Sequence, residues 1–355
     1  MDRPTAPDAE ALAEAARNLL VSCAEFARGD RLEICREDAR HGWYDAAVVE
    51  AVAREAERLG LSVSLCEVLP PDMAQPQVAM DTLATAGNIV FFARIGDQDR
   101  FGAGGARGRR VMVYARNAAD LASDFGRVPH PAMRHFKAAV DRLLFAATEI
   151  AITCPNGTAL SGRVHATGAG VADTTVRRFP LGVPAPVPAG GFSGRVALTD
   201  SLTPTGNSCY DPPVLHLAAP VMAEIRDGRI TGFDGDPAQV ARIEAHYARV
   251  SLRLGLDPWV VHSWHAGLHP GCRFFAQDGS DRDYWSNTVF SNPRVLHFHT
   301  CGAMAPGEIS WNLIDATVTV DGTPLWQAGM LRPRAFPALA AVVEADQALA
   351  RLFPG

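Results

Sequence analysis

The segment RLEICREDARHGWYDAAVVEAVAREAERLGLSVSLCEV, residues 31–68, contains the pattern that decides the fold. Residues 31–35 have the character of a short strand, whereas residues 43–59 repeat apolar side chains at helical spacing. Glycine commonly ends a helix, so the helix is predicted to stop at Gly60. Residues 61–68 again have the character of a strand. A strand, a helix and a strand in this order predict two parallel strands joined by a right-handed crossover.

The same alternation of helices and strands continues on both sides of this segment. A helix is predicted over 8–27 and ends at Gly29-Asp30. Beyond residue 68 the sequence predicts a helix, two strands and a final helix, over 74–86, 88–94, 109–114 and 131–147. Because helices separate the strands, we expect parallel pairing. Residues 1–147 are therefore predicted to form an N-terminal doubly wound α/β lobe.

The pattern changes at about residue 148. Short apolar segments now flank three dipeptides that predict β-hairpins: Asn156-Gly157, Asp227-Gly228 and Asp321-Gly322. The Pro- and Gly-rich residues 179–191 predict a crossing loop, and residues 259–330 are rich in strands. Helices are expected over 236–254 and 336–353. Residues 148–355 are therefore predicted to form an α+β lobe rich in mixed or antiparallel sheet.

Composition and charge limit the classes of protein to which the chain can belong. It has 355 residues, of which 48% are hydrophobic and 20% charged, and its net charge is −6. The hydrophobic content supports a large buried core, and the negative charge argues against nucleic acid or an anionic membrane as partner. No apolar stretch reaches the roughly 18 residues of a membrane span, and the acidic start lacks a signal-peptide pattern, so we expect a cytoplasmic protein.

Two common site patterns do not occur in the sequence. The seven cysteines are scattered and include no CxxC pair, which argues against a zinc ribbon or a disulfide framework. The glycine-rich residues 102–108, GAGGARG, neither follow a strand nor open a helix as a dinucleotide-binding loop does. We therefore expect no nucleotide cofactor and interpret residues 102–108 as a surface loop.

Histidines concentrate in one part of the second lobe. Five of the 11 lie within 262–299, in the segments HSWHAGLHP (262–270) and HFHTCG (297–302). Alternate residues of a strand share a face. This rule places Ser263 and His265 on one face and His262 and Trp264 on the other. It also groups His297 with His299 and Cys301, and Glu308 with Ser310.

This grouping predicts a mononuclear metal site. Two or three imidazoles with one carboxylate suit a divalent ion that keeps open positions for substrate or water. The predicted ligands are His265, His297, His299 and Glu308. A small-molecule substrate is expected to contact Ser263, Trp264, Ser310 and Trp311. The alternative is metal-free acid-base or nucleophilic catalysis by His262, His299 and Cys301.

Six segments occur in a distinctive order along most of the chain. They are GDRLEIC (29–35), ITCPNGTALSGRV (152–164), AEIRDGRITGFDGD (223–236), HAGLHPG (265–271), DYWSNTVFSN (283–292) and DATVTVDGTPLWQAGM (315–330). This order resembles that of the 2,5-dihydroxypyridine 5,6-dioxygenases and of the related aminopeptidase T-type metallopeptidases. The resemblance implies the two-lobed fold and a metal-dependent active site in the second lobe. The metal it implies is iron(II), with zinc or manganese as alternatives.

The resemblance also implies where metal ligands would lie. The dioxygenases hold one iron(II) with two histidines and an aspartate, and those positions match Ser263, Glu308 and Ser310. The peptidases replace the first histidine by glutamate and bind two metals. The chain therefore keeps neither ligand set, and we interpret His265 and the two histidines of the HFHTC segment as a relocated metal site.

Three functions remain open from the sequence. The first is oxidative ring opening of a small hydroxylated heteroaromatic substrate by an iron-dependent dioxygenase. The second is hydrolysis of an amide or peptide bond, with a metal or with histidine and cysteine alone. The third is non-catalytic binding of a small molecule. A homo-oligomer is compatible with the resemblance, because the related families are oligomeric.

Overall fold

The computed structural model describes residues 8–70, 87–99, 108–164, 176–204, 210–275, 281–303 and 307–354. The chain divides into two compact units. The first contains Met1–Arg134, Asp173–Leu181 and Gly271–Arg273, and the second contains His135–Ala172, Gly182–Pro270 and Phe274–Gly355. The main division therefore falls earlier than the boundary expected after residue 147. The first unit also includes two later segments, which the order of residues along the chain does not reveal.

The first unit is built on a parallel sheet of five strands. With strands numbered along the whole chain, they are β1 (Arg31–Glu37), β2 (Ser62–Val68), β3 (Ile89–Phe92), β4 (Arg110–Val113) and β7 (Arg177–Phe179). Their order across the sheet is β2-β1-β3-β4-β7, a doubly wound arrangement. The predicted α/β fold of the first lobe is confirmed, and β7 is an additional strand from beyond the predicted lobe.

Side-chain caps set where the helices of the first unit begin. Helix α1 (Ala9–Arg17) follows Asp8 and continues into a π-helical segment over Asn18–Cys23. Helix α2 (Ala46–Arg58) follows Asp45, whose carboxylate accepts a 2.8 Å hydrogen bond from the Val48 amide. This cap explains why α2 begins later than the predicted start at residue 43. The unit also contains the short helices α3 (Ile95–Asp99), α4 (Ala118–Ala122) and α5 (Asp124–Arg127).

Two predictions for the first lobe lie largely outside the described residues. These are the helix expected over 74–86 and, apart from Gly108, the glycine-rich loop expected over 102–108. The strands predicted on either side of them are confirmed, because β3 and β4 occupy the central part of the parallel sheet.

The second unit contains two antiparallel sheets, the first of which has six strands. They are β8 (Val187–Pro188), β10 (Ser201–Thr203), β11 (Leu215–His216), β14 (Val261–Ala266), β15 (Val295–Cys301) and β16 (Glu308–Ile314). Their order is β11-β10-β16-β15-β14-β8. All residues of β15 are buried, so this strand lies at the centre of the folded unit. The predicted loop over 179–191 contains the short strand β8.

The second antiparallel sheet has eight strands. They are β5 (Ile150–Thr153), β6 (Ala159–Gly162), β9 (Phe192–Leu198), β12 (Val221–Arg226), β13 (Arg229–Asp234), β17 (Thr317–Val320), β18 (Thr323–Gln327) and β19 (Met330–Leu331). The three predicted hairpins are confirmed as β5-β6, β12-β13 and β17-β18. Asp227 and Gly228 have φ of +47° and +69°, as a type I′ hairpin turn requires.

The remaining helices begin and end near the predicted positions, with two corrections. They are α6 (His130–Ala146), α7 (Pro237–Leu254), α8 (Arg282–Val289), α9 (Pro337–Glu344) and α10 (Gln347–Leu352). Helix α8 interrupts the region expected to be strands because Asp281 caps it. The single helix expected over 336–353 is two helices, because Asp346 caps a new one. Within the described ranges, no helix has the length and apolar character needed to cross a membrane.

One face of the six-stranded sheet carries a layer of large aromatic side chains. Trp264, Phe298 and Trp311 occupy paired positions on β14, β15 and β16. The Trp264 ring packs edge-on against Phe192 of the eight-stranded sheet, with ring centroids 5.9 Å apart. The indole N–H of Trp311 donates a 2.7 Å hydrogen bond to the Tyr247 hydroxyl of α7. This aromatic layer is part of the core, so the polar side chains of the same strands lie on the other face.

Candidate metal centre

The face of the six-stranded sheet opposite the aromatic layer carries histidines and small polar side chains. His265 on β14 pairs with His297 on β15, and His297 pairs with Asn312 on β16. Directly paired residues of antiparallel strands place their side chains on the same face, about 5 Å apart. These three side chains therefore form one row across three strands.

A second row lies next to the first along the strands. Ser263 pairs with His299, His299 pairs with Ser310, and Ser310 pairs with Thr203 of β10. The predicted sharing of a face by Ser263 and His265 is confirmed by this register, as is the sharing of a face by His297 and His299. Because β14 and β15 are paired neighbours, the register adds that Ser263 and His265 lie on the same face of the sheet as His297 and His299.

Three imidazoles meet at the centre of this polar face. The ring centroids of His265 and His297 are 3.8 Å apart, and the centroid of His299 lies 5.1 Å from His265 and 4.8 Å from His297. One nitrogen of each ring lies within 4.8 Å of the nitrogens of the other two. Only 1%, 4% and 8% of the surface of His265, His297 and His299 is exposed. We refer to these three side chains as the histidine trio.

Glu308 lies at the margin of the histidine trio. Its Oε1 is 2.5 Å from Nδ1 of His299 and accepts a 2.9 Å hydrogen bond from the Ser310 hydroxyl. The contact joins a buried imidazole to a buried carboxylate. The carboxylate is buried and is not a member of the three-residue group whose ligand atoms converge.

The histidine trio fits a divalent metal ion. Neutral imidazole is the commonest protein ligand of such ions, and three imidazoles form a known ligand set of catalytic zinc. His299 Nε2 is buried and has no hydrogen-bond partner within the described part of the chain. A buried polar atom of this kind calls for an explanation, and a bound ion supplies one. His265, His297 and His299 would therefore hold the metal.

Trp264 and Trp311 correct one expectation about the site. Both were expected to contact a substrate, but their side chains belong to the aromatic layer and are 0% and 1% exposed. The physical reason is the two-residue period of a strand, which turns Trp264 away from His265 and Trp311 away from Ser310. Of the expected substrate contacts, Ser263 and Ser310 remain on the polar face.

His262 is placed outside the histidine trio by a β-bulge. Val261 pairs with Thr300 and Ser263 pairs with His299, so His262 is the extra residue between them. Its Nε2 donates a 3.0 Å hydrogen bond to the carbonyl oxygen of Cys301. The structure therefore gives the His262 ring a backbone partner and does not bring it to the expected catalytic position.

Cys301 does not have the properties of a nucleophile. Burial, and to a smaller extent the Asp257 carboxylate, raise the pKa of its thiol to about 11. A reactive cysteine needs the opposite change, because the thiolate is the nucleophile. Cys301 also ends β15 with a φ of +65°, in direct register with Glu308. The expected pairing of a Cys301 thiolate with His299 is therefore corrected to a buried, protonated thiol.

Two polar residues of the site were not predicted. Asn312 follows Ser310 by one strand period and could have been found by extending the same alternation. Thr203 could not have been found in this way, because β10 is distant from β16 in sequence and becomes its neighbour only in the folded sheet. The Asn312 side-chain amide donates a 2.9 Å hydrogen bond to the Thr203 hydroxyl, which fixes the amide at the end of the His265-His297 row.

Comparison with known proteins identifies the fold. No protein-family model matches the chain, and no curated protein matches it in sequence. The structure of 2,5-dihydroxypyridine dioxygenase from Pseudomonas putida KT2440 is similar with a TM-score of 0.60 and 16% identity, covering 91% of this chain and 97% of that one. Wild-type AmpT from Thermus thermophilus is similar with a TM-score of 0.52 and 10% identity, covering 91% and 99%. The resemblance is confirmed at the level of the fold.

The register also relates the histidine trio to the ligand positions implied by the resemblance. Those positions are Ser263, Glu308 and Ser310. Ser263 and Ser310 are the two direct neighbours of His299, and Glu308 contacts its ring. The histidine trio therefore lies beside the implied positions on the same sheet face.

Proposed function

We propose that the chain is a metal-dependent enzyme that holds one divalent ion with His265, His297 and His299. The observation that carries the proposal is the convergence of three buried imidazoles, with one nitrogen of each within 4.8 Å of the others. Imidazole suits iron, zinc and related ions. A single converging group of ligand atoms supports a site for one ion.

We further propose oxidative ring opening of a small hydroxylated heteroaromatic substrate, with iron(II) as the metal. The support is the fold shared over 91% of the chain with a solved 2,5-dihydroxypyridine dioxygenase. Iron(II) at the histidine trio would bring dioxygen and the substrate together and pass electrons from the ring, which is oxidised, to dioxygen. The chain's own residues would bind and orient the substrate.

Ser263 and Asn312 are the residues best placed for substrate orientation. Both are half-buried, whereas the imidazoles beside them are buried, so a substrate meets these two side chains at the margin of the site. A hydroxyl and an amide can each donate and accept hydrogen bonds, as recognition of a ring with hydroxyl and carbonyl groups requires. The buried surroundings of the trio exclude water from the reacting atoms.

Hydrolysis of an amide or peptide bond is the second candidate. The observation in its favour is that all members of the converging group are histidines, a ligand set found in catalytic zinc sites. Zinc or manganese at the trio would polarise a carbonyl group and lower the pKa of water toward neutrality. This reaction needs no dioxygen, so oxygen dependence separates the two candidates.

The first test is the metal content of protein purified without oxygen, for the wild type and for His265→Ala and His299→Ala. We expect about one equivalent of iron in the wild type and loss of it in both variants, because each removes one of three ligands. His262→Ala is the matched control. This variant should retain the metal, because the His262 ring is hydrogen-bonded to a backbone carbonyl outside the histidine trio. Folded wild-type protein with no metal above background would contradict the proposal.

The second test is turnover with and without dioxygen. Protein loaded separately with iron, zinc or manganese is assayed on dihydroxylated pyridines and on a panel of peptide amides. Ring opening that stops when dioxygen is removed supports the oxygenase. Release of amine that continues without dioxygen, with zinc or manganese bound, supports the hydrolase instead.

A further inference from the structure

We propose that Glu308 is a positioning residue that acts through His299 and is not itself a metal ligand. The inference rests on the proposed metal site and assigns a role to a residue that the sequence groups with the ligands. Its starting point is the position of the carboxylate, which lies against the ring of His299 and outside the group of converging nitrogens.

The distance between the two side chains implies a shared proton. His299 Nδ1 and Glu308 Oε1 are 2.5 Å apart. Two lone pairs would repel at this distance, so one of the two atoms must carry a hydrogen. A carboxylate that accepts from Nδ1 keeps the hydrogen on Nδ1 and leaves the lone pair on Nε2. That tautomer presents Nε2, the buried atom without a hydrogen-bond partner among the described residues, as a ligand.

The surroundings of Glu308 hold its carboxylate in place. The Ser310 hydroxyl donates to Oε1 at 2.9 Å, the same oxygen that contacts His299. The Tyr210 hydroxyl donates to the backbone carbonyl of Glu308 at 2.7 Å. Glu308 is 3% exposed, so solvent does not compete with these contacts. A carboxylate fixed in this way orients a metal-binding histidine and holds its tautomer.

The first experiment reports the tautomer without any metal. Protein labelled with ¹⁵N in histidine is measured by NMR in the metal-free state, and the His299 signals are assigned with His299→Ala. We expect the wild type to carry the hydrogen on Nδ1 and Glu308→Ala to lose this preference. The same tautomer in wild type and Glu308→Ala would overturn the proposal, whatever metal the protein binds.

The second experiment measures the affinity for cobalt(II), used as a spectroscopic probe, by visible absorption in competition with a chelator. We expect Glu308→Ala to bind cobalt(II) roughly 10- to 100-fold more weakly while keeping one ion and the wild-type band positions. Glu308→Gln keeps an oxygen acceptor and should lose less affinity. If Glu308→Ala fails to fold, Glu308→Gln carries the test. Ser310→Ala, which leaves both acid and imidazole in place, should show the smallest change.

The outcomes of the cobalt titration are distinct. Changed band positions in Glu308→Ala, such as a missing oxygen ligand produces, would show that Glu308 binds the ion and would overturn the positioning role. Unchanged affinity in both Glu308 variants would also overturn it, while leaving the metal site intact. Failure of folded wild-type protein to bind cobalt(II) would instead refute the proposed metal site.

Discussion

At the scale of single residues, His299 joins two chemical environments. Its Nδ1 faces the Glu308 carboxylate, and its ring lies within 5.1 Å of the centroids of both other imidazoles. Within its own row, His299 has the small residues Ser263 and Ser310 as direct neighbours, and the other two rings lie in the adjacent row.

A prediction at the residue scale concerns Cys301. We expect Cys301→Ser to retain the metal and any activity, because the thiol is protonated at neutral pH with a pKa of about 11. The measurement is metal content and turnover of the variant. His299→Ala is the comparison, and it should lose both. A Cys301→Ser variant that binds metal but does not turn over would show that the thiol takes part in the chemistry.

The residues of the site were predictable to the extent that they lie on one strand. The two-residue period correctly related His297 to His299 and Ser263 to His265. It did not show that β14 and β15 are neighbours, which is what brings the trio together. It also could not show that Trp264 faces the core, since both faces of a buried strand can be apolar. Contact between Glu308 and His299 depends on pairing of β15 with β16.

At the scale of elements, helix α7 contains a buried histidine that links stability to pH. His246 is 1% exposed, and its Nδ1 accepts a 2.7 Å hydrogen bond from Arg249. Burial and then the Arg249 charge lower the pKa of His246 to about 4. The unfolded chain therefore binds a proton at this residue below about pH 6.5 while the folded chain does not. The contribution of neutral His246 to the unfolding free energy is therefore present above that pH and is lost as the pH falls toward 4.

We predict that His246→Leu reduces the dependence of stability on pH. Between pH 7.5 and pH 5 the wild type should lose about 2 kcal/mol of unfolding free energy through His246 alone, from the linkage of its shifted pKa. The measurement is urea unfolding of wild type and variant at both pH values. Equal losses in the two proteins would show that His246 does not carry this effect.

Two hairpin glycines allow a matched test of turn geometry. Gly228 and Gly322 have φ of +69° and +82°, so alanine is strained at either position. A Cβ at Gly228 would lie 2.7 Å from Gly190 Cα, whereas nothing lies within 4 Å of a Cβ at Gly322. We predict that Gly322→Ala lowers the unfolding free energy by about 1 kcal/mol and that Gly228→Ala lowers it more.

The check is chemical denaturation of both variants under one set of conditions. A larger loss for Gly322→Ala than for Gly228→Ala would contradict the steric reason, since the two sites share the backbone strain and differ in the space around the added methyl group.

The elements that sequence patterns predicted are those with local signals. Asx-Gly turns between apolar segments identified all three hairpins, and helical periodicity identified α2, α6 and α7. The shortest strands were missed, as with β8 over Val187–Pro188 and β11 over Leu215–His216. Two residues carry no period, and such strands exist only because a partner strand supplies their hydrogen bonds.

At the scale of the whole molecule, metal binding should stabilise the folded chain. An ion that binds the native state alone, at 100 times its dissociation constant, adds about 2.7 kcal/mol to the unfolding free energy. We predict a higher thermal midpoint with metal than with chelator, and no such difference in His265→Ala. Thermal unfolding followed by circular dichroism measures this. A metal-dependent rise that persists in His265→Ala would indicate that the ion binds elsewhere.

The division of the whole chain was the least predictable feature. Among the described strands, those before residue 148 pair in parallel, and the later ones, apart from β7, pair antiparallel. The return of β7 to the first sheet was not predicted, because pairing of Arg177–Phe179 with β4 is a contact between distant parts of the chain. Sequence patterns describe neighbours along the chain, whereas the edge of a sheet is decided by neighbours in space.

The bulge at His262 sets which side chains of β14 share a sheet face with the histidines of β15. One extra residue on β14 separates the Val261-Thr300 pair from the Ser263-His299 pair. If β14 kept the same residues but had no bulge, His262 would pair with His299, and every later residue of β14 would be shifted by one position relative to β15. Such a shift turns each side chain to the opposite face of the sheet. Trp264 would then exchange sides with His265. In a strand of this length, the bulge is therefore what keeps His265, and not Trp264, on the sheet face of His297 and His299.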